Sequence, residues 1–361
     1  MDPLTHALSG ALLVSAFTRR SRQTIQPDHH QPLPPTLPLR LKIATGFAAA
    51  AFPDIDFALR LIDTLVYLNW HQGPTHSLIL LPLWAWLLAQ CFAQLFRQYA
   101  WQLFFIPACL GLAIHIAGDL MTSYGLMLFA PFSTERYSFP LIFVIDPWFS
   151  LIIIAGLATS WFYPLQRTTA MAALAGLGIY VFFVSTLYHQ AVAVAQHYVK
   201  ANALHQAAVS VLPQPLSPFH WKLIIQHNDN YHVARVRLRK TAPLSGHETA
   251  TTIEPWRKIM AAYRPVTENA WIDYHQFGDD PHRRDVIRSA WNAPAFEPFR
   301  TFSIFPVLER VEENSRRLCY WFYDLRFEFP QLPPSFRYGI CRQEGETGWR
   351  MLRQRGLFYI D

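Results

Sequence analysis

Long, almost uncharged stretches in the first half of the chain restrict its fold more than any other feature. Residues 1–200 contain only 18 of the 56 charged residues in a chain of 361 residues. The apolar runs are 4–17, 41–57, 78–96, 103–121, 147–163 and 170–188. Most of them approach or reach the length that crosses a bilayer as a helix, and a soluble core could hardly bury so many. The sequence therefore predicts a mainly α membrane bundle of about six apolar helices.

The second half of the chain is richer in charge and predicts a small antiparallel β-rich domain outside the membrane. Residues 221–226 and 231–238 alternate in the manner of strands and flank a turn-forming triplet at 228–230, which is typical of a hairpin. Further strands are predicted at 301–310, 318–329 and 336–341. The expected domains are a helical membrane domain of residues 1–198, a Pro-rich linker of residues 199–218 and a β-rich domain of residues 219–361.

Basic residues predict the orientation, because Lys and Arg are concentrated in cytoplasmic loops. Loops on one side contain seven of them, namely Arg19, Arg20, Arg22, Arg40, Lys42, Arg97 and Arg167. The opposite loops contain two, Arg60 and Arg136. We therefore expect the N terminus and the C-terminal domain outside, and the proline-rich stretch 29–38 in an irregular cytoplasmic loop.

Histidines and aspartates fall at the outer ends of these predicted helices. They are His6, Asp54, Asp56, His71, His76, His115 and Asp119. His115 and Asp119 are four residues apart, so both project from one face of a helix. Imidazole and carboxylate groups are usual zinc ligands, and the lack of thiolates disfavours a closed structural zinc site. Ionisable groups are costly near a membrane, so the cluster predicts a functional metal site.

Each of these residues also has a purely structural explanation. His115 and Asp119 could form a hydrogen bond inside the bundle, and the two aspartates after Pro53 could cap a helix end. His71 follows Trp70 and could pair with it at the membrane interface.

Two further patterns concern helix ends and cysteines. Asp2 and Asp146 each precede a proline, which predicts helix caps. Cys319 and Cys341 could form a disulfide in an oxidising compartment, or remain buried thiols.

Four short motifs resemble those of the YdjM-type inner-membrane metal-dependent hydrolases, over roughly residues 1–190. They are MDPLTH at 1–6, FPDID at 52–56, GPTHS at 73–77 and HIAGD at 115–119. Their order is similar, more distantly, to that of the ligands in zinc-dependent phospholipase C and related nucleases. This similarity implies as ligands His6, Asp56 or Asp54, His76 or His71, His115 and Asp119. The later His and HxxxE ligands of phospholipase C have no equivalent here, which implies one or two metal ions.

Together these features predict a multi-pass metal-dependent hydrolase of the bacterial inner membrane. We expect it to use a metal-activated water at the outer face, and the similarity to phospholipase C implies a phosphoester of a lipid or lipid-linked substrate. The expected metal ligands are His6, Asp54, Asp56, His76, His115 and Asp119, and the candidate catalytic residues are Asp54, Asp56 and His71. Zinc is the expected metal.

Two other functions remain open. One is a non-enzymatic membrane scaffold with a structural metal and a β domain that binds a partner protein. The other is an ion transporter, which is less favoured because transporter sites lie near the bilayer midplane. The bases of the second half are scattered, so no nucleic acid partner is expected.

Overall fold

The computed structural model describes residues 1–18, 36–162, 166–239, 254–268, 270–346, 348–355 and 358–360. It divides into two compact units, residues 1–62 with 70–185 and residues 63–69 with 186–361. Residues 19–35, with Arg19, Arg20, Arg22 and the first part of the predicted proline-rich loop, lie outside the described residues.

The first unit is helical. Its α-helices are α1 (Pro3–Phe17), α2 (Leu39–Ala51), α4 (Leu81–Leu95), α5 (Gln102–Leu120) and α6 (Pro147–Phe162). Helix α3 (Thr64–Trp70) lies largely in the second unit, and α7 (Gln166–Ala201) extends from the first unit into the second. Short 3₁₀ segments cover Pro53–Leu61 and Pro74–His76. The carboxylate of Asp2 accepts a hydrogen bond from the Thr5 amide, and that of Asp146 accepts from the amide of Trp148. Both aspartates are therefore helix caps, as the sequence predicts.

The described part of the chain contains fewer membrane-length helices than expected. Gln102–Leu120 and Arg167–Ala201 are long and apolar enough to cross a membrane. Thr64–His76 and Leu81–Leu95 would form a third span as a pair, with a bend of 82°. The six predicted spans are thus not confirmed. The run 41–57 is interrupted because Pro53 has no amide hydrogen to continue α2, and a 3₁₀ segment begins there.

Glycines bring three of these helices close together. A Cβ atom at Gly111 of α5 would lie 2.5 Å from the carbonyl oxygen of Gly46 in α2, and a Cβ atom at Gly10 of α1 would overlap the same oxygen. Small residues allow such close backbone approach between apolar helices. As a result, the C-terminal end of α2 lies directly against the middle of α5.

The described residues of the second unit form two five-stranded sheets. The first is formed by β1 (Ala208–Pro213), β2 (His220–His227), β3 (Asn230–Arg237), β4 (Arg264–Pro265) and β5 (Ile272–His275), in the order β1-β2-β3-β4 with β5 also paired to β3. The second has the order β10-β9-β8-β7-β6, formed by β6 (Pro306–Glu313), β7 (Arg317–Asp324), β8 (Tyr338–Gln343), β9 (Arg350–Arg355) and β10 (Phe358–Ile360). The pairs are antiparallel except β3 with β4. Helices α8 (Glu254–Ala261), α9 (Pro281–Trp291) and α10 (Glu297–Phe302) complete the unit, with short 3₁₀ segments at Val266–Glu268, Pro294–Phe296 and Leu325–Phe327.

Several predictions for this unit can be compared with the structure. The antiparallel β-rich character and the hairpin around residues 228–230 are confirmed, because β2 and β3 pair across that turn. The strand expected at 301–310 is wrong in its first part, since Glu297–Phe302 is helical and the strand begins at Pro306. Strand β1 lies within the expected linker 199–218, so that segment is partly sheet. Cys319 and Cys341 form a disulfide between β7 and β8.

Buried apolar side chains from both sheets form one core cluster of this unit: Leu212, Ile224, Tyr231, Val233, Phe305, Val307, Tyr323 and Leu325. A buried ion pair lies in the same unit. The ammonium group of Lys222 donates to the Leu325 carbonyl at 2.8 Å and to the Glu328 carboxylate at 3.1 Å. Burial lowers the pKa of Lys222 to about 8 although Glu328 opposes the shift. Burial alone would raise the pKa of Glu328, but the charges of Lys222 and Arg235 outweigh it and hold that pKa below its ordinary value.

Candidate metal centre

Helix α5 supplies two of the candidate ligands. His115 and Asp119 are fully buried, and their four-residue spacing places both on one face of the helix. The Nε2 atom of His115 lies 3.4 Å from Oδ2 of Asp119. The pair therefore points into the first unit from α5, as its spacing predicts.

Asp54 enters the same region from the segment that follows α2. Pro53 begins the 3₁₀ segment, and Asp54 is its second residue. Its Oδ1 atom lies 3.9 Å from Nε2 of His76 and 3.9 Å from Nε2 of His115. The carboxylate thus lies within reach of both imidazoles.

His76 is positioned by a compact turn. Pro74–His76 forms one 3₁₀ turn, and the indole of Trp84 donates a hydrogen bond to the Pro74 carbonyl at 3.0 Å. The His76 side chain is completely buried, and its Nε2 atom lies 3.3 Å from Oδ2 of Asp119. Two segments distant in sequence thus converge on the same carboxylate.

These four residues form a group that could hold one metal ion. One ligand atom from each of Asp54, His76, His115 and Asp119 can be chosen so that all lie within 4.8 Å of one another. Among the described residues, Oδ2 of Asp54 and the Nε2 atoms of His76 and His115 are buried without a hydrogen-bond partner. An unpaired buried polar atom is costly, and coordination of a cation would satisfy all three. The residues therefore fit a divalent metal with nitrogen and oxygen ligands.

The other ring nitrogen of each histidine is already engaged. Nδ1 of His115 lies 2.6 Å from the Ala50 carbonyl oxygen, and Nδ1 of His76 lies 2.9 Å from Oγ1 of Thr75. A carbonyl oxygen can only accept, so Nδ1 of His115 carries a proton, and in the neutral ring the lone pair is then on Nε2. This pattern is usual for histidines that bind metals, since the outer hydrogen bond fixes the tautomer and the ring orientation.

Asp56 and His71 lie beside the four-residue group and contact each other. Oδ1 of Asp56 is 2.9 Å from Nδ1 of His71, and its Oδ2 accepts the backbone amide of Gln72 at 3.0 Å. The His71 ring approaches His76 edge-on, with ring centroids 5.8 Å apart. The two aspartates at 54 and 56 therefore have different surroundings, and Asp56 holds the segment that leads to His76.

His6 contacts the other carboxylate oxygen of Asp119. Its ring stacks on that of His115 with centroids 3.8 Å apart, and its Nε2 atom is 2.9 Å from Oδ1 of Asp119. The N-terminal amine of Met1 contacts the same carboxylate oxygen. His6 is therefore adjacent to the four-residue group but outside it, and its role as a ligand stays a prediction.

Some contacts at the centre involve groups whose hydrogen bonds the sequence does not predict. Gln72 donates its side-chain amide to Oδ2 of Asp119 at 2.7 Å, and its backbone adopts a left-handed conformation with φ of 58°. Arg136 donates to the backbone carbonyls of His71 and Gly125. An uncharged glutamine and a backbone carbonyl leave no spacing pattern in a single sequence, so only the folded chain reveals their contacts.

Comparison with known proteins gives a consistent result for the first part of the chain. The family model described as YdjM inner membrane protein matches residues 1–192. The uncharacterized protein YfhP of Bacillus subtilis (strain 168) is 23% identical over 205 residues, which cover 56% of this chain and 60% of that protein. No solved structure matches the chain. The resemblance of the four motifs to the YdjM family is thus confirmed, and the one to phospholipase C stays a prediction.

Proposed function

The chain belongs to the YdjM inner membrane protein family, and from this membership and its His–Asp group we propose a metal-dependent hydrolase of the bacterial inner membrane. The proposed reaction is cleavage of a phosphoester in a lipid or lipid-linked substrate at the outer face. Zinc is the proposed cofactor because imidazole and carboxylate ligands suit it.

One observation carries the proposal: the Asp54 carboxylate lies close to Nε2 of His76 and of His115, and Oδ2 of Asp54 and both Nε2 atoms are buried without a hydrogen-bond partner. Evolution seldom leaves several such atoms together in a core, because each loses its water without compensation. A bound cation would compensate all three. The fourth residue, Asp119, contributes a carboxylate that already accepts hydrogen bonds from its neighbours.

Different residues of the chain would bind the metal and transfer the proton. Asp54, His76, His115 and Asp119 would hold the metal, with His6 as a further candidate. A divalent metal bound there would supply a water of lowered pKa and a positive charge for the phosphoryl oxygens.

Asp56 and His71 are proposed to move the proton. The Asp56 carboxylate accepts from Nδ1 of His71 at 2.9 Å, which leaves the lone pair of that ring on Nε2. His71 retains 17% exposure of its side chain, so solvent and substrate can approach it. An imidazole oriented by a carboxylate is a suitable proton acceptor for an attacking water.

Two observations support the cellular setting of the proposal. The apolar helices Gln102–Leu120 and Arg167–Ala201 suit a membrane. The Cys319–Cys341 disulfide suits an oxidising compartment such as the periplasm, which agrees with the outward orientation expected from the basic residues. The ligand order that the similarity to phospholipase C implies would favour a phosphoester over other hydrolysable bonds.

The test is metal analysis of protein purified in detergent, combined with assays on a soluble phosphodiester and on phospholipids. We expect the wild type to contain metal and hydrolyse at least one substrate, and the combined variant His115→Ala, Asp119→Ala to lose both. His189→Ala is a matched control, because His189 is an exposed residue of α7. Equal, negligible metal in the wild type and the combined variant would contradict the proposal.

A membrane scaffold with a structural metal is the second candidate function. Four side chains that converge on one point can complete a tetrahedral zinc site and leave no position for water. Cobalt substitution separates the two functions, because the visible spectrum of Co²⁺ responds to a new ligand. A spectrum that changes when phosphate is added favours the hydrolase, and one that does not change favours the scaffold.

A further inference from the structure

The first unit contains an apolar groove whose lining includes Asp54 of the candidate metal centre. Its volume is about 710 Å³, and it is lined by parts of α1, α2, α4 and the 3₁₀ segment Pro53–Leu61. The residues that give it its character are Phe47, Ala51, Phe52, Leu88, Phe92 and Leu95. This volume lies within the range of about 300–1,000 Å³ that is usual for sites that bind small molecules.

Asp54 is the one charged side chain among the described residues that line this groove. It also belongs to the four-residue group, since its Oδ1 atom lies 3.9 Å from Nε2 of both His76 and His115. A single carboxylate therefore faces the groove and the centre. A molecule that fills the groove with an apolar chain would bring its polar end to Asp54.

The groove opens toward the apolar surroundings of the unit. Phe47, Ile55, Phe57 and Leu95 line it and are themselves exposed, at 39%, 60%, 53% and 71% of their surface. In water this much exposed apolar surface would be unfavourable. In a membrane it gives a hydrocarbon chain a continuous path from the bilayer into the groove.

We propose that the groove binds one long hydrocarbon chain of an amphiphile whose anionic phosphoryl head lies at the metal centre. This inference rests on the proposed function and narrows its substrate to a lipid with a long apolar tail. The occupant follows from the lining, because apolar walls select a hydrocarbon and the polar end coincides with the cation-binding group. Burial of each methylene group in such a groove favours binding.

The experiment uses full-length protein in phosphatidylcholine nanodiscs and a palmitoyl phosphonate that has a diazirine at the end of its chain. The phosphonate cannot be hydrolysed, so binding is measured apart from catalysis. We expect photolabelling of residues 47–57 and 88–95, with loss of label when unlabelled palmitoyl phosphonate is added and no loss with methylphosphonate. Mass spectrometry of the labelled peptides gives the positions.

A matched pair of variants tests the groove itself. Ala48 lines the groove, so the side chain introduced by Ala48→Trp should fill it. The competed labelling should fall about tenfold, because roughly two methylene groups of the hydrocarbon chain can then no longer be buried. Ala44→Trp places the same side chain at an exposed position of α2 outside the groove and should leave labelling unchanged. Both variants should keep the metal content of the wild type.

The outcomes separate this inference from the proposed function. If labelling spreads over all exposed apolar helices, or if Ala48→Trp does not reduce it, the groove is not the binding site. The label then reports ordinary contact with the bilayer. Competed labelling of the groove in a protein that hydrolyses no ester supports the groove and contradicts the hydrolase. If Ala48→Trp reduces the labelling but leaves the hydrolysis of a soluble phosphodiester unchanged, the result supports both the groove as a binding site and the hydrolase.

Discussion

Nδ1 of His115 donates its proton to the backbone carbonyl oxygen of Ala50, 2.6 Å away. This bond joins α5 to the C-terminal end of α2 and turns Nε2 of the imidazole toward the carboxylates of the candidate centre. The packing of two apolar helices thus sets the tautomer and direction of a ligand. The contact between these helices is consequently part of the site.

Enlarging Gly111 should disturb the site through this packing. A Cβ atom there would lie 2.5 Å from the Gly46 carbonyl oxygen, so Gly111→Ala forces α2 and α5 apart. We expect a loss of about 1–3 kcal/mol in the free energy of unfolding, as for other overpacked cores, together with reduced metal content. Thermal unfolding in detergent and metal analysis measure the two effects.

The control for that substitution is Gly178→Ala in α7. A Cβ atom at Gly178 meets nothing within 4 Å, so the added methyl group should leave stability unchanged or raise it slightly. Equal behaviour of the two variants would show that the approach of α2 to α5 does not support the centre.

Removing the Asp56 carboxylate should weaken metal binding without abolishing it. Asp56 holds His71 and the amide of Gln72, which lead to His76, but it is not in the four-residue group. Outer hydrogen bonds of this kind typically change metal affinity by about 10–100-fold. We therefore expect Asp56→Ala to raise the metal dissociation constant by a factor in that range, measured by competition with a chelator.

Asp63→Ala provides the comparison for Asp56→Ala. Asp63 also accepts backbone amide hydrogen bonds, from Leu65 and Val66, but it caps α3 and is not a member of the four-residue group. Its removal should leave metal affinity as in the wild type. If both variants lose affinity to the same extent, the effect of Asp56 is general destabilisation.

Acid should destabilise the second unit through His220. Burial, assisted by the charge of Arg237, lowers the pKa of this imidazole to about 4 from its ordinary value of 6.5. As the pH falls below 6.5, the unfolded chain binds a proton at His220 that the folded protein does not bind. The free energy of unfolding therefore decreases until the pH reaches about 4. The loss amounts to at most ~3 kcal/mol. Thermal unfolding at pH 7 and pH 5 measures it.

His220→Phe is the control for that pH dependence. The His220 ring stacks on Tyr263 with centroids 4.3 Å apart, and phenylalanine can keep this stacking without a titrating group. The variant should lose less stability than the wild type between pH 7 and pH 5. Glu328 adds a separate loss below its ordinary value of 4.5, because its lowered pKa stabilises the fold only while the carboxylate is charged. An unchanged pH dependence in the variant would rule out His220 as the cause.

The cysteines give a test of the proposed compartment of the second unit. In protein unfolded without reductant, Cys319 and Cys341 should resist alkylation until the disulfide is reduced, whereas the free thiol of Cys91 should be alkylated before reduction. Mass spectrometry of peptides modified before and after reduction distinguishes the two classes. Immediate alkylation of Cys319 and Cys341 would argue against an oxidising compartment.

Features that depend on residues close together in the chain could be predicted from the sequence. The four-residue spacing of His115 and Asp119 places them on one helix face whatever surrounds that helix. The turn at 228–230 and its flanking strands follow from local composition, as do the caps at Asp2 and Asp146. The short motifs were enough to indicate the family.

Features that depend on how segments meet could not be predicted in this way. Asp54 and Asp56 are equivalent in the sequence, yet the 3₁₀ geometry after Pro53 directs one toward His76 and His115 and the other toward His71. The described residues also form fewer membrane-length helices than hydropathy predicts. One reason is that hydropathy does not indicate where a proline ends a helix, as Pro53 ends α2.

The sequence by itself therefore determined the membrane character of the first half, the family and the set of residues from which a metal site could be built. The tertiary structure decided which four of those residues converge and which hydrogen bonds orient them. It also decided that an apolar groove includes Asp54 in its lining. The reason is that hydrophobicity and helical spacing are local properties of a chain, whereas convergence within 4.8 Å requires α2, α5 and the turn at Pro74–His76 to pack together.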